Sequence, residues 1–464
     1  MTRGLFSFIF SVFFSAISLA QYTVSDVITG LKYPVTFEIT SDGNYYVAQK
    51  GGDGFATNID AQIKKFDNTG ALLGVLWDFT DSVETYFERG VLGVAVDPDF
   101  ATNNFVYVFY NHASPAQIRV VRFTEVNHVG TNPTIIFSYN DPFSAGNHTG
   151  GNIHFKPGDN QHLFITIGDR ATQANAQLLT NPCGKYLRIN KDGSIPTDNP
   201  FYDDGNPLSG NDDRIWTYGH RNSFDFCFSP INDSLYASEN GLNTWDEVNV
   251  IHEGDNYGWP TCEGYYLQNS TTNLCNNSNY TDPIDDWSAP VPSVTGIMVY
   301  DHPLMPEFQG HLLVVTYNNT SKLYDMTLSG PGLDQVTNRV TVTLPTSING
   351  MTDIAQGLEG CIYVIKGGYT ANGSIKKICP SNMGLIDLSE KANFVMSPNP
   401  AADMVRLEFE EALTNSSIEL IDLTGRVVYT ETVSGKTISI NLNSVSPGIY
   451  LVSTAAGLRR LVVE

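Results

Sequence analysis

One pattern recurs along most of this 464-residue chain and leaves few folds open to it. An apolar alternating run meets a turn of Pro, Gly, Asp or Asn, a second run rich in Tyr, Val and Phe follows, and a glycine or charged loop ends the unit. Six copies are legible: "VTFEITSDGNYYVAQKGG", "LGVAVDPDFATNNFVYVFYNH", "NHTGGNIHFKPGDNQHLFITIGDR", "FDFCFSPINDSLYASENG", the weaker "YDHPLMPEFQGHLLVVTYNN", and "TDIAQGLEGCIYVIKGG". Each reads as two strands around a tight turn. Spacings of several tens of residues per copy, irregular because of long loops, suit the blades of a β-propeller better than the short period of a sandwich. No long stretch carries apolar residues at helical spacing, and 40 Gly, 23 Pro, 23 Tyr and 25 Phe suit turns and strands. The expected fold is all-β, with a six-bladed β-propeller over residues 21–380.

Ring closure would protect the sheet edges and gather the open ends of the hairpins on one rim. In the third copy, residues 147–170, the midpoint between His148 and Asp169 falls in Pro157-Gly158-Asp159-Asn160. The two polar residues therefore emerge side by side at the open end. The same construction sets Arg221 and Asn222 opposite Glu239 and Asn240 across a turn near Ile231, and Glu88 and Arg89 opposite His112 across a turn near Phe100. Hairpins of one sense in successive blades converge on a single channel mouth, which is the default ligand site. A carboxylate beside an imidazole, a guanidinium on the neighbouring hairpin, and Gly150-Gly151 allowing close backbone approach are what abstraction of a hydroxyl proton needs. Other readings stand beside this one: Asp169 closing a turn, Arg221 pairing with Asp225, and Trp259 of "NYGWP" filling space between blades.

The N-terminal "MTRGLFSFIFSVFFSAISLAQ", with one basic residue, a short apolar segment and a small-residue ending, reads as a signal peptide over residues 1–20 cut before Gln21. No later segment reads as a transmembrane helix. In an exported chain the six cysteines favour disulfides. Cys361 and Cys379 flank a hairpin, Cys262 and Cys275 would close a short loop, and Cys183 with Cys227 is the remaining pair. The formal charge of −23, from 26 Lys plus Arg against 49 Asp plus Glu, would repel nucleic acid and anionic lipid alike.

Composition shifts after Cys379. A linker over 381–393 leads into short alternating strands over 394–464 that would form a small C-terminal β-sandwich. Here "SPNPAADMVRLEF", "DLTGRVVY" and "SPGIYLVS" closely resemble the C-terminal sorting domain of the type IX secretion system of Bacteroidetes. The resemblance implies the type IX machinery as partner, passage across the outer membrane, and release or attachment at the cell surface.

The larger region carries a second resemblance. "RGVLGVAVDPDF", "NHTGGNIHF", "LFITIGDR", "GKYLRINKDGSIPTDNPF", "YGHRNSFDFCFSP", "SENGLNTWDEVNVIHEGDNYGWP" and "GCIYVI" occur in the order expected of the glucose/sorbosone dehydrogenase family, soluble six-bladed propellers that use pyrroloquinoline quinone. The resemblance implies a small aldose sugar as substrate, oxidised at its anomeric hydroxyl to a lactone. It also implies His148 as general base, Asp169 as its carboxylate partner, Arg221 and Asn222 as the groups that bind and polarise the quinone, with Arg221 counted among the catalytic residues, and Glu88 as a substrate contact. Backbone carbonyls of Gly241 and Leu242 match the loop that holds the cofactor's Ca2+; a hard cation needs only oxygen there. One departure accompanies these matches. Asn318, Asn319, Gly350, Met351 and Thr352 stand where the family's last two blades supply Lys and Arg, with Lys322 nearby but displaced. An enzyme is the first expectation. The alternative is a carbohydrate- or protein-binding propeller that has lost its cofactor. A calcium-dependent lactone hydrolase would want several carboxylates converging on the metal, and the sequence offers no such cluster.

Overall fold

The computed structural model describes residues 21–55, 59–141, 145–318, 320–381, 394–422, 427–454 and 456–463. The expected signal peptide, linker residues 382–393 and Asn319 lie outside the described residues.

Six four-stranded antiparallel sheets follow one another around a ring. Blade 1 holds Pro34–Ile39, Tyr45–Gln49, Gln62–Phe66 and Leu72–Asp78; blade 2 holds Val91–Val96, Phe105–His112, Gln117–Val126 and Val129–Asn140. Blade 3 comprises Ile153–Phe155, His162–Ile167, Lys185–Asn190 and Ile215–Tyr218; blade 4, Ser223–Phe228, Leu235–Glu239, Trp245–Ile251 and Asp285–Ser288. Blade 5 is built from Val294–Val299, Leu312–Thr316, Leu323–Ser329 and Gln335–Thr341. Blade 6 takes Met351–Gln356, Ile362–Lys366 and Gly373–Pro380 from one end of this region and its outermost strand, β1 (Tyr22–Leu31), from the other. The pairing of β1 runs from Tyr22 opposite Pro380 to Leu31 opposite Gly373, so the last sheet is completed by the first strand.

The apolar runs are nearly continuous because each blade is buried on both faces. Successive side chains of a strand point to opposite sides, and here both sides meet another blade. In blade 5, Leu312 and Val314 join a core with Tyr236, Val248 and Val250 of blade 4, whereas Leu313 and Val315 join a core with Ile354, Ile362 and Val364 of blade 6. In blade 6, Tyr363 and Ile365 turn the other way and pack with Phe37, Tyr45 and Val47 of blade 1. The remaining clusters join blades 1 and 2, 2 and 3, and 3 and 4 in the same manner.

This layering also settles the cysteines. Cys361–Cys379 and Cys262–Cys275 are bonded, but Cys183 and Cys227 are free, which corrects the remaining-pair expectation. Cys183 lies in the core between blades 2 and 3 and Cys227 packs against the core between blades 4 and 5.

The C-terminal region forms one connected five-stranded sheet of Phe394–Ser397, Met404–Asp422, Val427–Asn441, Gly448–Thr454 and Gly457–Val463. Its two longest strands break register between Glu408 and Ser416. The segments on either side of the break share one core, Val405 and Leu407 from one and Ile418 and Leu420 from the other, which makes the sheet a two-layer sandwich.

One end of the channel is closed by polar groups. Asp225 accepts from the side chain of Asn152 and from the Ile297 backbone N–H, while Asp353 accepts from Thr36 Oγ1 at 2.6 Å and the Phe37 N–H at 2.9 Å. Glu38 and His154 line the same pocket. Burial pushes the Glu38 carboxyl up to about 7, against the pull of His154. The unfolded chain ionises this group near its ordinary value of 4.5, so the native state is favoured below that pH and loses the advantage as pH rises through about 7. Glu38→Gln should therefore flatten the fall in stability between those limits. The effect is at most about 3 kcal/mol, measurable by denaturant unfolding across pH; parallel curves for both proteins would contradict it.

Candidate active site

At the other end of the channel a cavity of about 360 Å³ opens, lined by His148, Arg221, Asn222, Glu88, Gly241 and Leu242 among others. Of the residues given site roles by the resemblance, all except Asp169 reach its wall directly. Asp169 stands immediately behind it.

His148 is held by backbone as well as side chain. Its φ of 56° is left-handed, and its carbonyl lies where a Cβ on Gly168 would come within 2.4 Å, so a side chain there would displace the histidine. Gly151 has a similar role: a Cβ would meet the Phe109 ring at 2.8 Å. The imidazole Nδ1 lies 2.6 Å from Asp169 Oδ1. Asp169 is fully buried, and its remaining acceptor sites are taken by the Ala171 N–H at 2.7 Å and the Trp259 indole N–H at 2.8 Å. An ionised carboxylate only accepts, so this arrangement puts the ring proton on Nδ1 and leaves the Nε2 lone pair available.

Asp169 also ties this hairpin to the next, because its backbone N–H donates to the Arg221 carbonyl at 2.8 Å. The Arg221 guanidinium donates to the Asn240 carbonyl at 2.8 Å and lies 5.5 Å from the centre of the Trp259 ring. Its Nε is buried without a partner, and burial pushes its pKa down. Asp225 is bound elsewhere, so the expected Arg221–Asp225 pair is absent. Glu88 accepts from the Thr149 N–H at 3.2 Å.

The Gly241–Leu242 loop is folded around Glu263. One carboxylate oxygen accepts N–H groups from Leu242 at 2.7 Å, Asn243 at 3.2 Å, Thr244 at 3.1 Å and Trp245 at 3.2 Å. The C=O and N–H of a trans peptide point in opposite directions, so the carbonyls of Gly241 and Leu242 face away from Glu263. Both residues line the cavity.

Three other expectations change. Trp259 does more than fill space, since it holds Asp169. Its signal was out of reach in sequence, because the two residues are 90 positions apart. Arg89 pairs with Glu84 at 3.7 Å and the Ala145 carbonyl at 2.8 Å, and His112 binds the Pro115 carbonyl at 2.8 Å; neither lines the cavity. Of the last two blades, Thr295, Tyr317, Thr352, Gly368 and Tyr369 reach the wall, whereas Asn318, Gly350, Met351 and Lys322 do not.

A second cation comes from the first blade instead. Lys50 is buried in the cavity wall, with its ammonium 3.2 Å from the Gly52 carbonyl, 3.1 Å from the Thr85 carbonyl and 5.4 Å from the centre of the Tyr369 ring. The hairpin construction would have found it, since Lys50 donates its backbone N–H to Tyr33 at the same open end. Among the described residues, neither Lys50 nor Arg221 forms an ion pair, and the Thr352 hydroxyl is buried without a partner.

The fold is a six-bladed propeller of the sugar dehydrogenase type. The glucose/sorbosone dehydrogenase profile matches residues 31–377, and the chain belongs to that family. Residues 396–463 match the secretion system C-terminal sorting domain, which implies export to a surface or secreted location. The chain is 28% identical over 366 residues to an uncharacterized protein of Synechocystis sp., covering 73% of this chain and 82% of the relative. It is 27% identical over 306 residues to the aldose sugar dehydrogenase YliI of Escherichia coli, covering 64% and 78% respectively. The PQQ-bound aldose sugar dehydrogenase of Streptomyces coelicolor superposes with a TM-score of 0.61 at 25% identity, covering 78% of this chain and 99% of that one.

Proposed function

We propose that this protein oxidises the anomeric hydroxyl of aldose sugars to lactones with pyrroloquinoline quinone as hydride acceptor. The observation that carries the reading is the His148–Asp169–Trp259 chain beside two buried cations without carboxylate partners. An acidic protein keeps such cations buried at a high desolvation cost, and an anionic ligand would offset it. A tricarboxylate cofactor has that chemistry. Arg221, Lys50, Asn222 and Thr352 would hold its polar edge, and the carbonyls of Gly241 and Leu242 would contribute oxygens to its Ca2+. Bound there, the quinone supplies a two-electron acceptor for hydride.

The chain's own residues handle the proton. Nε2 of His148 takes the proton from the anomeric O–H as the C–H bond breaks, so that the sugar loses one proton and one hydride. Asp169 stabilises the resulting imidazolium and fixes the ring against rotation. Glu88 accepts a sugar hydroxyl at the cavity edge. The cation-poor final blades, which favour the cofactor-free binding reading, are compensated by Lys50.

The deciding experiment is reconstitution of the full chain with Ca2+ and pyrroloquinoline quinone. Saturable cofactor binding with sugar-dependent dye reduction supports the enzyme; no cofactor binding moves the assignment to a carbohydrate- or protein-binding propeller.

Lys50 adds a pH signature. Burial pushes its ammonium down to about 8. The group is charged below that value and neutral above it, so cofactor affinity should weaken as pH rises through 8. A Lys50→Met variant should bind more weakly at pH 6 and show no such fall; an unchanged pH profile in that variant would count against the role.

A further inference from the structure

The long loop between the third and fourth strands of blade 3 carries an acidic group remote in function from the channel mouth. One carboxylate oxygen each from Asp203, Asp204 and Asp213 lies within 4.8 Å of the others. Asp203 and Asp204 are exposed, and Asp213 is fully buried.

Asp213 is the informative member. One of its oxygens accepts the backbone N–H groups of Asp203 at 2.6 Å and Asp204 at 3.3 Å. Its other oxygen, Oδ2, is buried with no hydrogen-bond partner, and among the described residues no cation pairs with the group. The neighbouring acid shows what compensation looks like: Asp212 receives two 2.7 Å bonds from Arg214. A buried carboxylate oxygen with unused lone pairs, in a residue grouped with two further carboxylates, is short of compensating positive charge.

We propose that Asp203, Asp204 and Asp213 bind a Ca2+ ion. Calcium takes oxygen ligands at about 2.3–2.6 Å, so oxygens on one ion lie within about 5 Å of each other, as these do. Two carboxylates that water can reach and a third that it cannot would let the ion enter from solvent and offset the charge of the buried carboxylate. No thiol or imidazole is present to favour a softer metal. The remaining coordination positions are left to water and backbone carbonyls. The loop lies on the outer part of blade 3, so the ion would fasten the segment from Asp203 to Asp213 without entering the sugar site.

The test uses the full chain, stripped with chelator and kept free of quinone, titrated with Ca2+ by calorimetry and with Tb3+ by luminescence sensitised through neighbouring aromatics such as Tyr202. Wild type should bind one equivalent at this loop and melt at higher temperature with Ca2+. Asp204→Asn, an exposed substitution that leaves the fold intact, should weaken that equivalent by roughly tenfold or more. Asp213→Asn should abolish it. Loss of Ca2+ response in both variants, with cofactor binding unchanged, supports the site. Wild type without a bound equivalent, or an equivalent that persists undiminished in Asp203→Asn and Asp204→Asn, overturns it.

Discussion

With cofactor and calcium reconstituted, His148→Ala loses roughly three orders of magnitude in kcat, the range expected when a positioned general base is removed. Cofactor affinity stays close to wild type, because the imidazole is tied to Asp169 and not to the cation side of the cavity. Fold is retained, since Asp169 keeps the Ala171 N–H and the Trp259 indole. Single-turnover reduction of bound quinone by sugar isolates the step. A variant that retains turnover within about tenfold of wild type would falsify the base assignment. Asp169→Asn is the companion: an amide in place of the carboxylate can reverse the ring tautomer and put the proton on the nitrogen that must receive one.

Arg221→Met should weaken the cofactor instead of the chemistry. A charge-assisted hydrogen bond contributes about 1.5–3 kcal/mol, which is about 10- to 150-fold in affinity. Methionine preserves apolar contact with Trp259 and removes the charge together with the hydrogen bond to the Asn240 carbonyl. The reading is a cofactor titration by absorbance, with kcat at saturation as control. Equal affinity in both proteins would show that the guanidinium serves structure alone. The double variant with Lys50→Met distinguishes two cations serving one anion from two independent roles, because groups that share a ligand give non-additive losses.

The extent to which the site was legible follows the distance over which its contacts are made. His148 meets Asp169, and Arg221 meets Asn240, through single hairpins, and turn residues at their midpoints give that pairing directly. The two-sided burial of the strands emerges only in the structure, where runs that read as alternating are covered on both faces by neighbouring blades. Trp259 reaches Asp169 from a distant loop, and Asp213 meets Asp203 across a folded-back loop; no local periodicity encodes either contact. Cysteine parity misled for a related reason, since Cys183 and Cys227 occur in a chain where both residues are held by apolar layers that differ from each other. The channel mouth is shared by every blade, so a cation absent from the final blades has a counterpart in Lys50 of the first, a relation that no single hairpin carries.

Borrowing its outermost strand from the start of the chain gives blade 6 a timetable. Tyr22–Leu31 leaves the ribosome early, while Gly373–Pro380, the strand it pairs with, is made some 350 residues later. Until then the segment has no sheet to join, and contacts so far apart in sequence are slow to form. The ring is therefore a late event in the life of the molecule, and a nascent chain can travel unsealed for most of its synthesis.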